Sequence, residues 1–208
     1  MLKENKGINM EAKKAIFLDK DGTLINDIPF NVDLKLITFS SNILDGLKLL
    51  QEEGYIFIII TNQSGIGKGY FNHKDVDAVG ARLELLLARA GIVLSGFYYC
   101  PHIHTVLSAV AGTECDCRKP KPGMLLTAAQ VHNIDLSSSW MIGDILNDVE
   151  AGNRAGCKTI LINNGNETKW EMTDKRTPDY IADSIDTAAR YILDINLLNQ
   201  FYAICQHE

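Results

Sequence analysis

No unbroken apolar run in the first half of the sequence approaches the roughly 20 residues that a membrane-crossing helix needs; the longest, Tyr55 to Ile60, stops at Thr61. The amino terminus is charged, and its apolar stretch is too short for a secretory signal. Long basic runs are missing too, and the formal net charge is -6 over 208 residues. A general nucleic-acid binder would carry a basic face, so this balance argues against one. No repeat, low-complexity tract or interdomain linker interrupts the chain. Together these absences point to one soluble, cytoplasmic domain over 1–208, expected to be a monomer without a membrane or nucleic-acid partner. Its length and apolar content suffice for a buried core, placed at about 15–198. Cysteine is sparse but uneven. Of five, three lie close together with histidines nearby, which in a reducing compartment favours metal binding over disulfides.

The hydrophobic pattern alternates between strands and helices. Strands are expected at Ala15–Asp19, Tyr55–Ile60, Gly96–Tyr99, Trp140–Gly143, Lys158–Ile162 and Tyr180–Ala182. Helices are expected at Asn42–Glu53, His73–Ala90, Pro122–Val131, Asn147–Ala155 and Ile185–Leu198. Residues 1–13 read as a polar leader and Asn26–Thr38 as irregular. This alternation predicts an α/β fold: a single Rossmann-like domain with a parallel sheet covered by helices on both faces. In such sheets ligands bind beyond the carboxyl ends of the strands. Asp19 and Asp21, Thr61 and Asn62, Cys100 and His102, and Asp144 all fall at those ends. Two glycine-rich near misses carry nothing: Gly65-Ile66-Gly67-Lys68-Gly69 fits neither a P-loop nor a dinucleotide fingerprint. Asn166-Glu167-Thr168 matches a glycosylation acceptor, without meaning in a cytoplasmic chain.

The stretch Phe17-Leu18-Asp19-Lys20-Asp21-Gly22-Thr23-Leu24 carries the chemistry. For a phosphate monoester, Asp19 would be the nucleophile and Asp21 the proton donor to the leaving oxygen. A carboxylate repels a phosphate dianion, so a cation is required. Asp19 and Asp144, with Asp148 as a further candidate, offer hard oxygens suited to Mg²⁺. Thr61 and Asn62 offer a hydroxyl and main-chain N–H groups to phosphate oxygens, and Lys119 a fixed positive charge. Alone, Asp-Gly can also be read as a turn, Thr61-Asn62 as a polar turn, Asp144 as a helix cap and Lys119 as a loop lysine; together and in order they read as a site. Cys100, His102, Cys115 and Cys117 make a Cys₃His set for a structural Zn²⁺ in a loop over 100–117, with His104 as a competing ligand. Cys157 and Cys205 stand alone as core or surface thiols.

The order Asp-x-Asp-Gly-Thr, Thr61, Lys119 and Gly-Asp-x-x-x-Asp, over about residues 15–165, resembles the haloacid dehalogenase superfamily of phosphotransferases. The resemblance implies an aspartyl-phosphate on Asp19 and magnesium held by Asp19, the main-chain carbonyl of Asp21, and Asp144. Cys100-Pro101-His102, then Cys115 to Met124, is similar to the heptose-bisphosphate phosphatases and the related histidinol phosphatases. That implies removal of the 7-phosphate of D-glycero-D-manno-heptose 1,7-bisphosphate, with substrate contacts at Asp27, Asn62, Gln63, Ser64, Arg118 and Lys119. Arg118 suits bidentate grip of a second phosphate. The chain departs from the pattern at Ile145, where relatives often carry Lys, and at Phe30, where some carry Tyr. No large cap domain fits between Asp21 and Thr61. The expectation is a magnesium-dependent, zinc-clamped sugar-bisphosphate phosphatase acting on a small phosphorylated sugar. Histidinol-phosphate phosphatase is the alternative within the class, with a phosphatase of nucleic-acid 3′ ends a weaker one. A zinc-clamped interaction module without catalysis is the alternative outside the class.

Overall fold

The computed structural model describes residues 11–41, 43–103 and 115–206. Most of the expected leader and the competing ligand His104 lie outside that set. Six strands, β1 (Ala15–Leu18), β2 (Ile56–Asn62), β3 (Leu94–Cys100), β4 (Trp140–Gly143), β5 (Lys158–Ile162) and β6 (Tyr180–Ala182), form one sheet. Every pairing is parallel, in the order β3-β2-β1-β4-β5-β6. Among the described residues five α-helices accompany them: α1 (Leu44–Glu52), α2 (His73–Arg89), α3 (Gly123–His132), α4 (Leu146–Ala155) and α5 (Ile185–Cys205).

The strands are almost uniformly apolar because both faces are covered. In β1, Ile16 and Leu18 belong to one core with Leu47 and Leu50 of α1, Leu83 of α2 and Ile192 of α5. Ala15 and Phe17 belong to the other, with Met124, Leu125 and Ala128 of α3 and Ala151 of α4. Phe17 lies opposite Ile58 on β2 and Met141 on β4. Each fully buried side chain of this size contributes about 1.5–3 kcal/mol relative to exposure. The strand order reverses between β1 and β4. Connections leave β1 towards β2 on one side and start again from β4 on the other, which opens a crevice at their carboxyl ends.

Most element boundaries agree with the sequence pattern to within two residues. The main difference is α5, which runs to Cys205 rather than Leu198. No glycine, proline or charge interrupts Asn199–Cys205, so the helix continues past the point where it has a core to cover. Its buried residues are Ile185, Ala188, Ala189 and Ile192, whereas Leu197, Leu198, Phe201, Tyr202 and Ile204 are exposed. Among the described residues no helix is long and apolar enough to cross a membrane.

The two halves of α5 should therefore respond differently to truncation. Ile192→Ala is expected to cost about 2–5 kcal/mol of unfolding free energy, and Phe201→Ala no more than about 0.5 kcal/mol, both read by urea denaturation. Equal losses would contradict this division.

Candidate active site

The end of β1 delivers Asp19 into the crevice, and its main-chain N–H is pinned to the Ile142 carbonyl of β4 at 2.9 Å. The end of β4 delivers Asp144, and the first turn of α4 delivers Asp148. The loop before α3 delivers Lys119, only 3% exposed. Its ammonium contacts Asp19 Oδ1, lies 2.6 Å from Asp148 Oδ1, and donates to the Ile60 carbonyl at 2.9 Å. Asn62, at the end of β2, fixes where this lysine starts. Its Oδ1 accepts from Lys119 N and its Nδ2 donates to Lys119 O, both at 3.1 Å. The Asn62 carboxamide is thus committed to positioning Lys119, a use the sequence did not reveal.

One ammonium does not neutralise three carboxylates. Oxygens of Asp19, Asp144 and Asp148 lie within 4.8 Å of one another, all in buried residues. Burial raises Asp19 to about 7, against the pull of Lys119 and with added repulsion from Asp148 and Asp21. Burial also raises Asp144 to about 6, with repulsion from Asp19 and relief from the Asn166 amide. Burial opposes the charge on Lys119, but Asp148 and Asp19 outweigh it and hold the ammonium protonated above its ordinary range. The remaining negative charge and hard oxygens suit a divalent cation such as Mg²⁺. Asp148 uses Oδ1 on Lys119 and accepts the Ile145 N–H on Oδ2 at 3.3 Å, so its main contact is the lysine.

Asp21 stands beside this cluster. Lys20 Nζ lies 2.5 Å from its Oδ1, and Gln63 Nε2 donates to its Oδ2 at 3.1 Å and to Thr61 Oγ1 at 2.9 Å. The Gln63 side chain therefore orients the expected proton donor and the expected phosphate-binding hydroxyl together. A cavity of about 210 Å³ opens over them, lined by Asp21, Asp27, Phe30, Asn62, Gln63 and Ser64. Four of the six expected substrate residues share this wall; Lys119 and Arg118 are outside the lining. Arg118 Nη1 donates to the His102 carbonyl at 3.0 Å. Asp27 also borders a larger cleft of about 670 Å³ with Gly22, Thr23, Asn164, Asn166 and Ser184.

The four expected zinc ligands converge. Cys100 Sγ lies 3.2 Å from Cys117 Sγ, 3.6 Å from Cys115 Sγ and 3.5 Å from His102 Nδ1. A tetrahedron with arms of about 2.3 Å has edges of about 3.8 Å, so the donor set and spacing fit Zn²⁺. Burial pushes the Cys100 and Cys117 thiols up.

Several site residues escaped the sequence reading. Lys20 is buried against Asp21 rather than solvated. Asn164, Asn166 and Glu167 follow β5 and reach Gly22, Asp144 and the start of α4. Their address, beyond the carboxyl end of a strand, was the available signal.

A carboxylate whose native pKa exceeds its unfolded value takes up a proton on folding, so its contribution to stability falls as pH rises between the two values. For Asp19 that window runs from 3.8 to about 7. The metal-free protein should lose melting temperature across it, and Asp19→Asn should flatten the slope. An Asp19→Asn profile as steep as that of the unaltered chain would contradict the buried-charge account.

Residues 116–188 match the HAD-hydrolase-like family profile. The chain is 40% identical over 174 residues to the D-glycero-beta-D-manno-heptose-1,7-bisphosphate 7-phosphatase of Pasteurella multocida, covering 83% of this chain and 93% of that one. The protein of the same name from Haemophilus influenzae is 39% identical, covering 83% and 92%. The fold superposes on the D,D-heptose 1,7-bisphosphate phosphatase of B. bronchiseptica, solved with magnesium and phosphate, with a TM-score of 0.73, 28% identity, and coverage of 87% of this chain and 98% of that one. The phosphatase motifs, the six-stranded parallel sheet and these likenesses agree: the chain belongs to the heptose-1,7-bisphosphate 7-phosphatase family of HAD-like phosphoric monoester hydrolases.

Proposed function

We propose that the chain removes the 7-phosphate of D-glycero-D-manno-heptose 1,7-bisphosphate through a phosphorylated Asp19. The observation that carries this reading is the buried pairing of Lys119 with Asp19 and Asp148 at the β1/β4 crevice. Asp19 and Asp144, with the main chain of Asp21, would hold Mg²⁺, which when bound offsets the repulsion between nucleophile and phosphate. An Asp19 oxygen attacks phosphorus, and the bond to the sugar oxygen breaks. Asp21 gives its proton to that oxygen, and the dephosphorylated sugar leaves. Asp21 then takes a proton from water, whose oxygen attacks phosphorus. The Asp19–phosphorus bond breaks, releasing inorganic phosphate and restoring Asp19 as a carboxylate and Asp21 as the protonated acid.

The other residues orient and stabilise. Lys119 holds Asp19 and offers positive charge to the transferring group. Thr61 presents its hydroxyl to phosphate oxygens, while Gln63 keeps Thr61 and Asp21 in register. Asp27, Ser64 and the main chain of the Asn62–Ser64 turn face the cavity that would take the sugar. Arg118 takes the second phosphate. Cys100, His102, Cys115 and Cys117 would hold a structural Zn²⁺. This clamp reaches the substrate side through two contacts: Arg118 to the His102 carbonyl, and Gly67 N–H to the Pro101 carbonyl at 3.0 Å. The reduced, clustered cysteines support a cytoplasmic setting, and we propose a monomer.

A phosphate-release panel tests the substrate. Heptose 1,7-bisphosphate is expected to be turned over best, with the β anomer ahead of the α, as the relatives' name implies. Histidinol phosphate and fructose 1,6-bisphosphate should trail, and Asp19→Asn should abolish all turnover. Faster turnover of histidinol phosphate would overturn the sugar assignment. The zinc clamp is tested separately: Cys115→Ser should lose zinc and lower kcat/KM at least about tenfold through displaced cations. Full turnover in a zinc-free variant would sever that coupling.

A further inference from the structure

Between β5 and β6 the chain makes an excursion across the active-site crevice that the reaction described above does not use. Asn164 Nδ2 donates to the Gly22 carbonyl at 2.6 Å. Asn166 Nδ2 donates to Asp144 Oδ2 at 2.7 Å. Glu167 Oε2 accepts the Leu146 N–H, at the first residue of α4, at 2.8 Å. From these three bonds we infer that Asn164–Glu167 is a strap that fixes Asp144 for the divalent cation, with Asn166 as its principal positioning residue. The inference rests on the magnesium reading of the proposed function and adds residues to it.

The geometry is specific to that task. Asp144 accepts from Asn166 on Oδ2 and from Thr23 Oγ1 on Oδ1 at 3.2 Å. Both oxygens are gripped, so the rotamer is set. Each oxygen has two lone pairs, so one accepted bond apiece leaves capacity for a cation. Hydrogen-bonded partners of this kind orient metal-binding carboxylates. Gly22 makes the close approach possible: its φ is +82°, and a Cβ there would run into the Asp144 carboxylate and the Asn166 amide. The strap thus ties the loop after β1 to the loop after β4 at the point where the sheet order reverses. Glu167 anchors its far end. Its carboxylate satisfies one of the main-chain donors that a helix leaves open at its start, where negative charge is also favoured.

The test is a magnesium titration of the full chain, free of phosphate, followed by thermal shift, with the melting temperature in EDTA recorded for each variant. Asn166→Ala is expected to bind Mg²⁺ about 10–100-fold more weakly than the unaltered chain. Glu167→Ala should weaken binding less, and Glu167→Gln, which keeps an acceptor oxygen, should restore most of that loss. Unchanged magnesium affinity in Asn166→Ala overturns the strap, including where its melting temperature falls, because that pattern describes a purely structural contact. If the unaltered chain takes up no Mg²⁺, the magnesium reading fails and the strap with it. If the unaltered chain binds and Asn166→Ala binds equally well, the strap alone fails.

Discussion

A single ammonium group, buried between two carboxylates, holds this site together. Lys119 contacts Asp19 and Asp148 and donates to the Ile60 carbonyl, joining the loop before α3 to β1, β2 and α4. Three acids so close in a buried crevice would otherwise repel one another or protonate. The lysine lowers that cost without cancelling it, and the unbalanced charge is what makes the crevice a place for a divalent ion. The strand order supplies the location, because only the β1/β4 divergence brings Asp19 and Asp144 side by side.

Much of the surrounding structure serves to keep that lysine and its partners in place. Asn62 binds the Lys119 main chain on both sides. Gln63, just beyond the end of β2, ties Thr61 to Asp21, so one side chain links two different motifs. The cysteine cluster sits immediately before Arg118 and Lys119, and the strap after β5 closes the other flank. Positioning of this kind depends on packed side chains whose rotamers are already fixed, so little ordering is left for the substrate to drive.

The fold and the charged residues were legible in the sequence because their signals are local. Apolar runs such as Tyr55–Ile60 announce doubly covered strands, and Asp-x-Asp-Gly-Thr stands at the end of one. The Cys₃His set was readable for the same reason, since three closely spaced thiols with a nearby histidine form a local metal-ligand pattern. What stayed hidden were contacts between side chains and distant main chain. Asn62 looked like a phosphate-binding turn residue, and only the structure pairs its carboxamide with a residue 57 positions away. Asn166 read as an unused glycosylation match, because nothing local says that the loop after β5 folds back over Asp144. The tail of α5 was misjudged for the opposite reason: local propensity carries the helix on after tertiary burial has ended.

During turnover the carboxylate at the tip of β1 is expected to become covalently bonded to phosphorus. Acid quenching of the enzyme during turnover, followed by mass spectrometry of its peptides, tests this directly. Phosphate on the peptide bearing Asp19, at that side chain, is the predicted result. A phosphoryl group on any other residue, or none in a sample quenched while phosphate is being released, would contradict the account.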